Sequence, residues 1–458
     1  MTLRVAVVGS GPAGFYAAES LLAAEVAAEV DLIERLPTPW GLVRLGVAPD
    51  HPELKAASRT FEKTARREGF RFFGNVEVGK DVDHADLIRI YDAVVYTVGA
   101  QTDRRLGIPG EDLPGSWAAT EFVAWYNGNP DYQHLEFDLA HERAVVIGNG
   151  NVAIDVARML ARTAAELAPT DATDAAIAAL DGSGIRDIVM LGRRGPVQAS
   201  FTPPELKELG ELAAADVVVD PADLELDPAS AAALEADRAR TRRNVDILRE
   251  FVAREPAGKP KTLRLRFRVS PVQILGEGRV EAVEVVRNEL VPGEDGQIRA
   301  VPTGEIEVIP CGLVLRSVGY RGVPLRGLSF HESRGVIPNV EGRVVDDDGK
   351  VVRGVYCAGW IKRGPSGVIG TNRKDANETV ELLLEDARAG LLDRDADAPS
   401  LESVLLERGV HFVEYAGWEA IDEHERGRGA EQGRPRVKLL TWDELLAAAK
   451  LQLPHHSL

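Results

Sequence analysis

The first residues that could do chemistry are glycines spaced to hold a phosphate. Gly9, Gly11 and Gly14 follow a valine-rich apolar run and precede a helical pattern that opens with Pro12. Glycines at this spacing allow a tight turn and a close approach of the backbone to a pyrophosphate, whose charge the helix N-terminus attracts. The next strand pattern ends on Glu34, 25 residues after Gly9, where an acid can bind a ribose hydroxyl. These elements predict a dinucleotide site.

A second turn of the same kind follows an apolar run later in the chain. It comprises Gly148, Asn149, Gly150, Asn151, Val152 and Ala153. The next strand pattern ends on Gly192, Arg193 and Arg194, 45 residues after Gly148, and the surplus length is assigned to the alanine-rich segment 164–184. A guanidinium binds a 2′-phosphate bidentately, whereas a carboxylate would repel it. The second turn therefore predicts NADP(H) rather than NAD(H), the alternative being a solvated surface turn.

Two dinucleotide turns of opposite charge in one chain indicate FAD at the first and NADP(H) at the second. A third glycine-rich stretch, residues 355–370, runs from a strand pattern into an amphipathic helix pattern. The N-terminus of such a helix would favour negative charge beside a reduced flavin ring. The alternative for the first turn is a glycine turn that binds no ligand, and the strands of the third stretch are also expected to be buried in the core.

The composition excludes several classes of function. A net charge of −18 argues against binding to nucleic acid or to anionic membranes. The sequence has no apolar run of about 18 residues and no signal peptide before the first strand pattern, so we expect neither membrane insertion nor export, and a cytoplasmic location. Cys311 and Cys357 form no C-x-x-C pair and the histidines have no ligand spacing, so we expect neither a dithiol nor a metal.

The segment that follows Glu34 has an unusual composition. Residues 36–55 are too rich in proline for a helix or a central strand, and too apolar for an ordinary solvent loop. Two long stretches are distinctive, PTPWGLVRLGVAPDHP and GWIKRGPSGVIGTN, and five shorter ones accompany them: GSGPAG, VGAQTDR, GNGNVAID, GRRGP and RSVGYRG. Together they resemble NADPH:ferredoxin reductases of the adrenodoxin-reductase type. These belong to the glutathione-reductase-like flavoproteins with two dinucleotide-binding folds. The resemblance extends from residue 9 to residue 372.

The resemblance implies which residues form the sites. His51 would lie where the nicotinamide meets the flavin ring, accompanied by Glu208, and both are predicted to be catalytic. The residues implied to contact FAD, besides the first glycine turn, are Glu34, Leu42, Val78, Trp360, Gly367, Val368 and Ile369. The residues implied to contact NADP(H) are Arg104, Asn149, Gly150, Asn151, Val152, Arg193, Arg194, Glu205 and Gly367. Without the resemblance, a lone histidine among prolines would more often be structural. Trp360 stands where glutathione-reductase relatives commonly carry aspartate, which suggests an aromatic lid.

The predicted fold class is α/β, with two Rossmann-like dinucleotide-binding domains. The FAD-binding domain is discontinuous: residues 1–102 form its first part, and residues 325–458, with the C-terminal helices, its second. The NADP(H)-binding domain, residues 103–324, is inserted between them.

Two further patterns lie outside the glycine turns. Residues 263–269 alternate strictly between apolar and basic residues, which predicts an antiparallel hairpin with residues 280–291. The helical pattern beyond residue 400 is predicted to be interrupted at residues 426–436, which are basic and contain glycine.

The resemblance implies hydride transfer from NADPH to FAD, followed by single-electron transfer to ferredoxin or a similar small iron–sulfur protein. Two other functions stay open. One is a flavin-dependent NADPH oxidase or monooxygenase, and the other is a redox sensor that binds the nucleotides without turnover.

A basic segment could bind such a partner. Residues 238–268 contain eleven basic and three acidic residues, a net charge of +8. Ferredoxins are typically acidic, so a basic face would steer their approach. The predicted docking residues on the helix are Arg238, Arg242 and Arg249, followed on a strand by Arg264, Arg266 and Arg268. The alternative is a solvated helix face and an ordinary half-exposed strand.

Overall fold

The first strand shows how the chain builds a sheet that is buried on both faces. Leu3, Val5 and Val7 pack into one hydrophobic cluster, while Ala6 and Val8 pack into another. A central parallel strand is covered on both sides, and its sequence is therefore apolar throughout. The structure, a computed structural model, describes residues 2–236, 239–294, 296–367 and 369–450.

The strands in the described residues, numbered in chain order, are β1 (Leu3–Val8), β2 (Ala28–Ile33), β3 (Phe70–Phe73), β4 (Ala93–Tyr96), β5 (Thr102–Asp103), β6 (Ser116–Ala118), β7 (Arg143–Ile147), β8 (Asp187–Gly192), β9 (Ala215–Val219), β10 (Lys261–Phe267), β11 (Val269–Leu275), β12 (Ala282–Pro292), β13 (Ile298–Pro310), β14 (Leu313–Arg316), β15 (Tyr320–Arg321), β16 (Asn339–Val340), β17 (Arg343–Val345) and β18 (Val351–Cys357).

The α-helices in the same residues are α1 (Pro12–Leu22), α2 (Leu42–Leu45), α3 (Pro52–Lys55), α4 (Ser58–Ala65), α5 (His84–Ile90), α6 (Ala119–Tyr126), α7 (Asn151–Ala161), α8 (Ala164–Leu167), α9 (Asp174–Asp181), α10 (Pro203–Leu209), α11 (Pro228–Ala236), α12 (Ala239–Ala253), α13 (Trp360–Arg363), α14 (Ile369–Arg388), α15 (Leu401–Glu407), α16 (Tyr415–Glu431) and α17 (Trp442–Ala449). None of these described helices is long and apolar enough to cross a membrane.

The chain forms two compact units. The first unit comprises the described residues of Met1–Thr102, Asn127–Gln133 and Tyr320–Leu458. Its seven-stranded sheet has the order β16-β17-β18-β4-β1-β2-β3. The strands from β18 to β3 run parallel, and β16 and β17 add an antiparallel edge. Helices α1 and α14 both belong to this unit. The first and third glycine-rich stretches, which lead into these helices, therefore belong to the unit that contains this sheet.

The second unit comprises the described residues of Asp103–Tyr126 and His134–Gly319. Its six-stranded parallel sheet has the order β6-β14-β7-β8-β10-β9, and β11, β12 and β13 form a separate antiparallel sheet. One apolar cluster joins the two sheets, with Val145 and Val189 on one side and Val269, Val283 and Ile309 on the other. Parallel strands with helical crossovers in both units confirm the predicted α/β class.

The hairpin predicted for residues 263–269 is wrong. Strand β10 lies between β8 and β9 in the parallel sheet, and the hairpin partner of β12 is β11. The alternation arises because Leu263, Leu265 and Phe267 face the core, while the residues between them carry charge. Arg268 has a φ of 58°, a left-handed conformation that turns the chain between β10 and β11.

The predicted interruption of the C-terminal helices begins too early. Helix α16 continues to Glu431 through Gly427 and Gly429. A Cβ at Gly429 would lie 2.5 Å from the Cα of Arg436, whereas a Cβ at Gly427 would meet no atom within 4 Å. Gly429 therefore lets the returning chain pack directly on the helix, and this contact offsets the low helix propensity of glycine.

The two glycines give a matched test of this packing. We expect Gly429→Ala to lower the thermal unfolding midpoint, because the new methyl group displaces backbone at a cost of about 1–3 kcal/mol. Gly427→Ala should raise the midpoint, because alanine in an exposed helix position is favoured over glycine by about 1 kcal/mol. Circular dichroism would measure both midpoints, and shifts in the same direction would contradict the packing described here.

Candidate functional site

The glycines of the first turn have distinct tasks. Gly9 has a φ of 103°, and a Cβ there would lie 2.8 Å from the carbonyl oxygen of Thr97. A Cβ at Gly14 would lie 2.0 Å from the carbonyl oxygen of Gly9, so this glycine lets the helix pack on the turn. At Gly11 a Cβ would meet no atom within 4 Å. The space over Gly11, at the N-terminus of α1 where Pro12 opens the helix, fits a phosphate group.

Glu34 lies beside this turn. Its carboxylate accepts hydrogen bonds from the backbone N–H of Ser10 at 3.0 Å and from the hydroxyl of Ser10 at 2.6 Å. Its second oxygen accepts a hydrogen bond from the N–H of Leu36 at 3.0 Å. These contacts hold the acid at the end of β2, at the position from which it can bind a ribose hydroxyl.

The proline-rich loop packs onto the turn through its backbone. The N–H of Trp40 donates a hydrogen bond to the carbonyl oxygen of Ser10 at 3.0 Å, and a Cβ at Gly41 would lie 3.0 Å from the Cα of Gly11. Trp40 has a φ of 85°, a strained conformation for a tryptophan, and its side chain is buried. Leu42 follows at the start of α2 with 37% of its surface exposed. An exposed apolar side chain beside the turn fits contact with an aromatic ring.

A buried ion pair anchors this loop to the C-terminal helices. The Arg44 guanidinium donates two hydrogen bonds to the Glu425 carboxylate, at 2.8 and 2.6 Å, and their side chains are 3% and 0% exposed. Glu425 also accepts hydrogen bonds from Arg436 at 3.2 Å and from the N–H of Leu439 at 2.9 Å. Trp418 stacks under the Arg44 guanidinium at 5.1 Å. Glu425 was not predicted from the sequence, although an acid in register with the apolar positions of α16 was a usable signal.

The third glycine-rich stretch packs against the first helix. A Cβ at Gly359 would lie 2.7 Å from the Cβ of Ala13, and the N–H of Gly359 donates a hydrogen bond to the Asp375 carboxylate of α14. The indole N–H of Trp360 donates to the carbonyl oxygen of Ser366 at 3.2 Å, and its ring lies 5.2 Å from that of Tyr320. These contacts fix the orientation of the tryptophan that the sequence analysis interprets as a lid.

The other residues predicted to contact FAD are placed as follows. Val78 is half-buried and packs against the apolar cluster beneath the sheet. Gly367 and Ile369 lie at the N-terminal end of α14, and Val368 lies outside the described residues. His51 is buried, and its N–H donates to the carbonyl oxygen of Ala48 at 3.0 Å just before α3.

The second unit repeats the turn with different partners. A Cβ at Gly148 would lie 2.1 Å from the carbonyl oxygen of Ser317, whereas one at Gly150 would meet only the Cβ of Ser200, at 3.9 Å. The Asn151 side chain accepts a hydrogen bond from the N–H of Thr202 at 2.8 Å. Two further contacts complete the turn: the carbonyl oxygen of Asn149 accepts from the N–H of Ser200 at 2.9 Å, and Val152 packs on the core. Open space again lies over the middle glycine.

The two arginines follow β8 directly. Arg193 is exposed and Arg194 is half-buried, and within the described part of the chain neither guanidinium has a hydrogen-bond or ion-pair partner. Burial, together with the neighbouring charge of Arg193, lowers the pKa of Arg194. Two adjacent positive charges without a carboxylate favour the binding of an anion.

The remaining NADP(H) residues belong to the same unit. Arg104 is exposed, and its N–H donates to the carbonyl oxygen of Gly319 at 2.8 Å. Glu205 is buried on α10, and Glu208 on the same helix forms an ion pair with the fully buried Arg158. Arg158 also pairs with Asp155 at 2.8 Å. Helix α10 therefore presents two acids whose positions are fixed by packing and by an ion pair.

Comparison with known proteins assigns the family. The sequence model described as pyridine nucleotide-disulphide oxidoreductase matches residues 3–191. The NADPH-ferredoxin reductase FprA of Mycobacterium leprae (strain TN) is 50% identical over 454 residues, which cover 97% of this chain and 97% of that protein. The chain belongs to the NADPH-ferredoxin reductase family.

The mitochondrial NADPH:adrenodoxin oxidoreductase of Arabidopsis thaliana, also of this family, is 44% identical over 461 residues, covering 98% of this chain and 95% of that protein. The solved structure of Mycobacterium tuberculosis FprA in complex with NADPH superposes with a TM-score of 0.92 at 47% identity, covering 98% of this chain and 100% of that chain. The predicted resemblance is confirmed. The family consists of FAD-dependent oxidoreductases that use a pyridine nucleotide, so the predicted enzyme class and cofactors are confirmed at this level.

The cysteines agree with a reductase that does not use a dithiol. Burial raises the pKa of Cys311 to about 12 and also raises the pKa of Cys357. Neither thiol ionises near neutral pH, and only a thiolate is the reactive form.

Glu425 allows a test of the buried ion pair. Burial alone would raise the pKa of Glu425, but the guanidinium groups of Arg44 and Arg436 and the N–H of Leu439 hold it below its ordinary value. We expect Glu425→Gln to destabilise the fold by about 3–5 kcal/mol at pH 7, because Arg44 stays buried without a full counter-charge. The depressed pKa means that the stabilisation is present above the unfolded pKa of about 4.3 and is lost as the pH falls below it.

The measurement is the urea unfolding midpoint from pH 3 to pH 7. Glu419→Gln on the same helix is the control, because Glu419 pairs at the surface with Arg66 and an exposed ion pair contributes little to stability. A difference between wild type and Glu425→Gln that did not shrink with falling pH would show that the charge is not what stabilises the loop.

Proposed function

We propose that this protein transfers electrons from NADPH through FAD to a small acidic iron–sulfur protein of the ferredoxin class. The observation that carries the proposal is the contrast between the two nucleotide turns. The first has an acid beside it, Glu34, and the second is followed by Arg193 and Arg194, which lack carboxylate partners among the described residues. The similarity to NADPH-ferredoxin and NADPH:adrenodoxin reductases along almost the whole chain supports the same reaction.

The first unit fits FAD. The turn would hold the pyrophosphate, Glu34 the ribose, and the exposed Leu42 would contact the ring system. We assign FAD contacts to Gly9, Gly11, Pro12, Gly14, Glu34, Leu42, Val78, Trp360, Gly367 and Ile369. FAD, when bound, accepts a hydride from NADPH and releases the two electrons singly. The chain itself would bind and orient the groups, and Trp360, held by its hydrogen bond to the carbonyl of Ser366, would cover the ring.

The second unit fits NADP(H). We assign contacts to Arg104, Asn149, Gly150, Asn151, Val152, Arg193, Arg194, Glu205 and Gly367. The open space over Gly150 would receive the pyrophosphate at the N-terminus of α7. The arginines would bind the 2′-phosphate that distinguishes this nucleotide from NAD(H).

One experiment separates this function from its alternatives. The purified protein should show a flavin absorbance spectrum that NADPH bleaches under anaerobic conditions. Cytochrome c should then be reduced rapidly only when a ferredoxin is added. Equally fast NADPH consumption with oxygen alone would identify an oxidase or monooxygenase, and bound nucleotides without bleaching would identify a sensor.

The arginine pair predicts a preference for NADPH. Removing a charge-assisted contact to phosphate costs about 1.5–3 kcal/mol. We therefore expect the double variant Arg193→Ala/Arg194→Ala to have a steeply raised KM for NADPH and nearly unchanged kinetics with NADH. A parallel loss with both nucleotides would mean that the arginines are structural.

We also propose that His51 and Glu208 act at the hydride-transfer site. His51→Ala and Glu208→Gln should retain FAD but slow its bleaching at saturating NADPH, measured by stopped flow. Glutamine keeps a hydrogen-bond acceptor for Arg158, which retains Asp155 as a counter-charge. Glu211→Gln is the control, because Glu211 follows α10 and forms an exposed ion pair with Lys207 of that helix. Unchanged bleaching in both variants would remove these residues from the mechanism.

The strand arginines of the predicted docking surface each have an acidic neighbour. Arg264 pairs with Asp187 at 2.9 Å, Arg266 with Glu307 at 2.7 Å, and Arg268 lies 3.7 Å from Asp223. These ion pairs commit the strand guanidinium groups to acids of the fold, although Asp187 and Asp223 are each shared with a second arginine. Arg238 lies outside the described residues. We therefore propose that an acidic ferredoxin docks on α12. Arg242 is exposed there, and among the described residues its guanidinium hydrogen-bonds to backbone carbonyls, while Arg249 has an exposed partner, Asp246, at 3.5 Å.

Charge reversal on α12 tests this surface. Arg242→Glu should lower ferredoxin-dependent turnover at low ionic strength, because electrostatic steering raises association rates by roughly 10–10³ and is screened by salt. Ferricyanide reduction, which needs only NADPH and the flavin, should be spared. Arg426→Glu makes the same charge change at an exposed position on α16 and should have no effect. Equal effects of the two reversals would argue against docking on α12.

A further inference from the structure

A buried amide holds the backbone of the arginine turn in the second unit. The side-chain nitrogen of Asn288 donates a hydrogen bond to the carbonyl oxygen of Arg193 at 2.9 Å and lies 2.8 Å from the hydroxyl of Ser270. The backbone N–H of Asn288 donates to the carbonyl oxygen of Arg268 at 2.7 Å, and the N–H of Arg268 donates to the carbonyl oxygen of Arg194 at 3.0 Å. One carbonyl of the arginine pair is therefore bound from β12 of the antiparallel sheet, and the other from the residue that joins β10 to β11.

The antiparallel sheet is irregular where it makes these contacts. The pairing of β12 with β13 shifts register between Val286 and Asn288. Bulges of this kind re-aim a side chain. Arg268 takes its left-handed conformation at the junction of β10 and β11. The buried Asp223 accepts hydrogen bonds from the N–H of Phe267 at 2.9 Å and from Arg287 at 3.0 Å, which fixes the residues next to Arg268 and Asn288.

The orientation of the Asn288 amide follows from its partners. The carbonyl oxygen of Arg193 can only accept a hydrogen bond, so the nitrogen of the amide must face it. Asn288 is 3% exposed, and its side-chain oxygen is buried with no hydrogen-bond partner among the residues that the structure describes. A buried polar atom without a partner opposes folding. An asparagine at this position is therefore not explained by stability alone. The part of its side chain with a role is the N–H donor that binds the carbonyl oxygen of Arg193.

We propose that Asn288 is a positioning residue that sets the preference for NADPH over NADH. It holds Arg193 and Arg194 so that both guanidinium groups reach one 2′-phosphate, and the inference rests on the proposed NADP(H) function. Two adjacent positive charges without carboxylate partners repel each other. Without the clamp on their backbone the turn would open, and the fixed geometry that a bidentate contact requires would be lost.

The experiment measures nucleotide binding to the FAD-loaded protein by calorimetry. The probes are 2′,5′-ADP, which carries the 2′-phosphate, and 5′-AMP, which lacks it. Asn288→Ala should weaken binding of 2′,5′-ADP on the order of tenfold and leave binding of 5′-AMP unchanged. The KM for NADPH should rise with kcat unchanged, and NADH kinetics should stay the same. Gln273→Ala is the control, because it removes another amide contact of the same strand pair, to Glu284 at 3.2 Å, and should change neither constant.

The outcomes separate the inference from the function on which it rests. Asn288→Leu, which keeps the branching of the side chain at Cγ and removes both polar atoms of the amide, gives the same test if the alanine variant loses FAD absorbance or thermal stability. If wild type binds 2′,5′-ADP no more tightly than 5′-AMP, the proposed NADP(H) site is wrong and this inference falls with it. If wild type discriminates and both Asn288 variants discriminate equally well, or lose both ligands together, only the inference is overturned.

Discussion

The buried ion pair between Arg44 and Glu425 is the constraint on which the first site depends. The two charges lie in the interior, and either one alone would be strongly destabilising. The loop that carries Arg44 can therefore take its place on the glycine turn only when α16 is also in place. The backbone of that loop touches the turn at Ser10 and Gly11. A site formed by the first residues of the chain is thus completed by residues near its other end.

The second unit fixes its turn with neutral hydrogen bonds instead. Its arginines are held through their backbone carbonyls by Asn288 and by the N–H of Arg268, and neither guanidinium group has a partner among the residues that the structure describes. In the first unit the charge of Arg44 is paired with that of Glu425 inside the protein. The difference follows from the task of each residue, because a charge that stabilises a loop must be neutralised inside the protein, whereas a charge that recognises phosphate must stay available to the ligand.

The glycine turns, with β1, α1, β7, α7 and β8, could be predicted from the sequence because glycine spacing, apolar runs and helix starts are local signals. The position of β10 could not, since its alternation fits a half-exposed hairpin as well as an inner strand with paired charges. The continuation of α16 through Gly427 and Gly429 was also missed. What allows it is the close approach of residue 436, a contact that no local pattern encodes. His51 and Glu208 were reached only through the resemblance, since neither has a motif of its own.

The arginines after β8 and those of β10 show why charge density along a chain is a poor guide to a binding surface. Both groups are basic runs beside a parallel strand. Arg264 and Arg266 meet acids 77 and 41 residues away, Asp187 and Glu307, and these pairs hold their guanidinium groups within the fold. Arg193 and Arg194 meet no acid in the part of the chain that is described. What marks a site for an anion is therefore positive charge that the fold leaves uncompensated and holds in one geometry, and only the folded structure supplies both conditions.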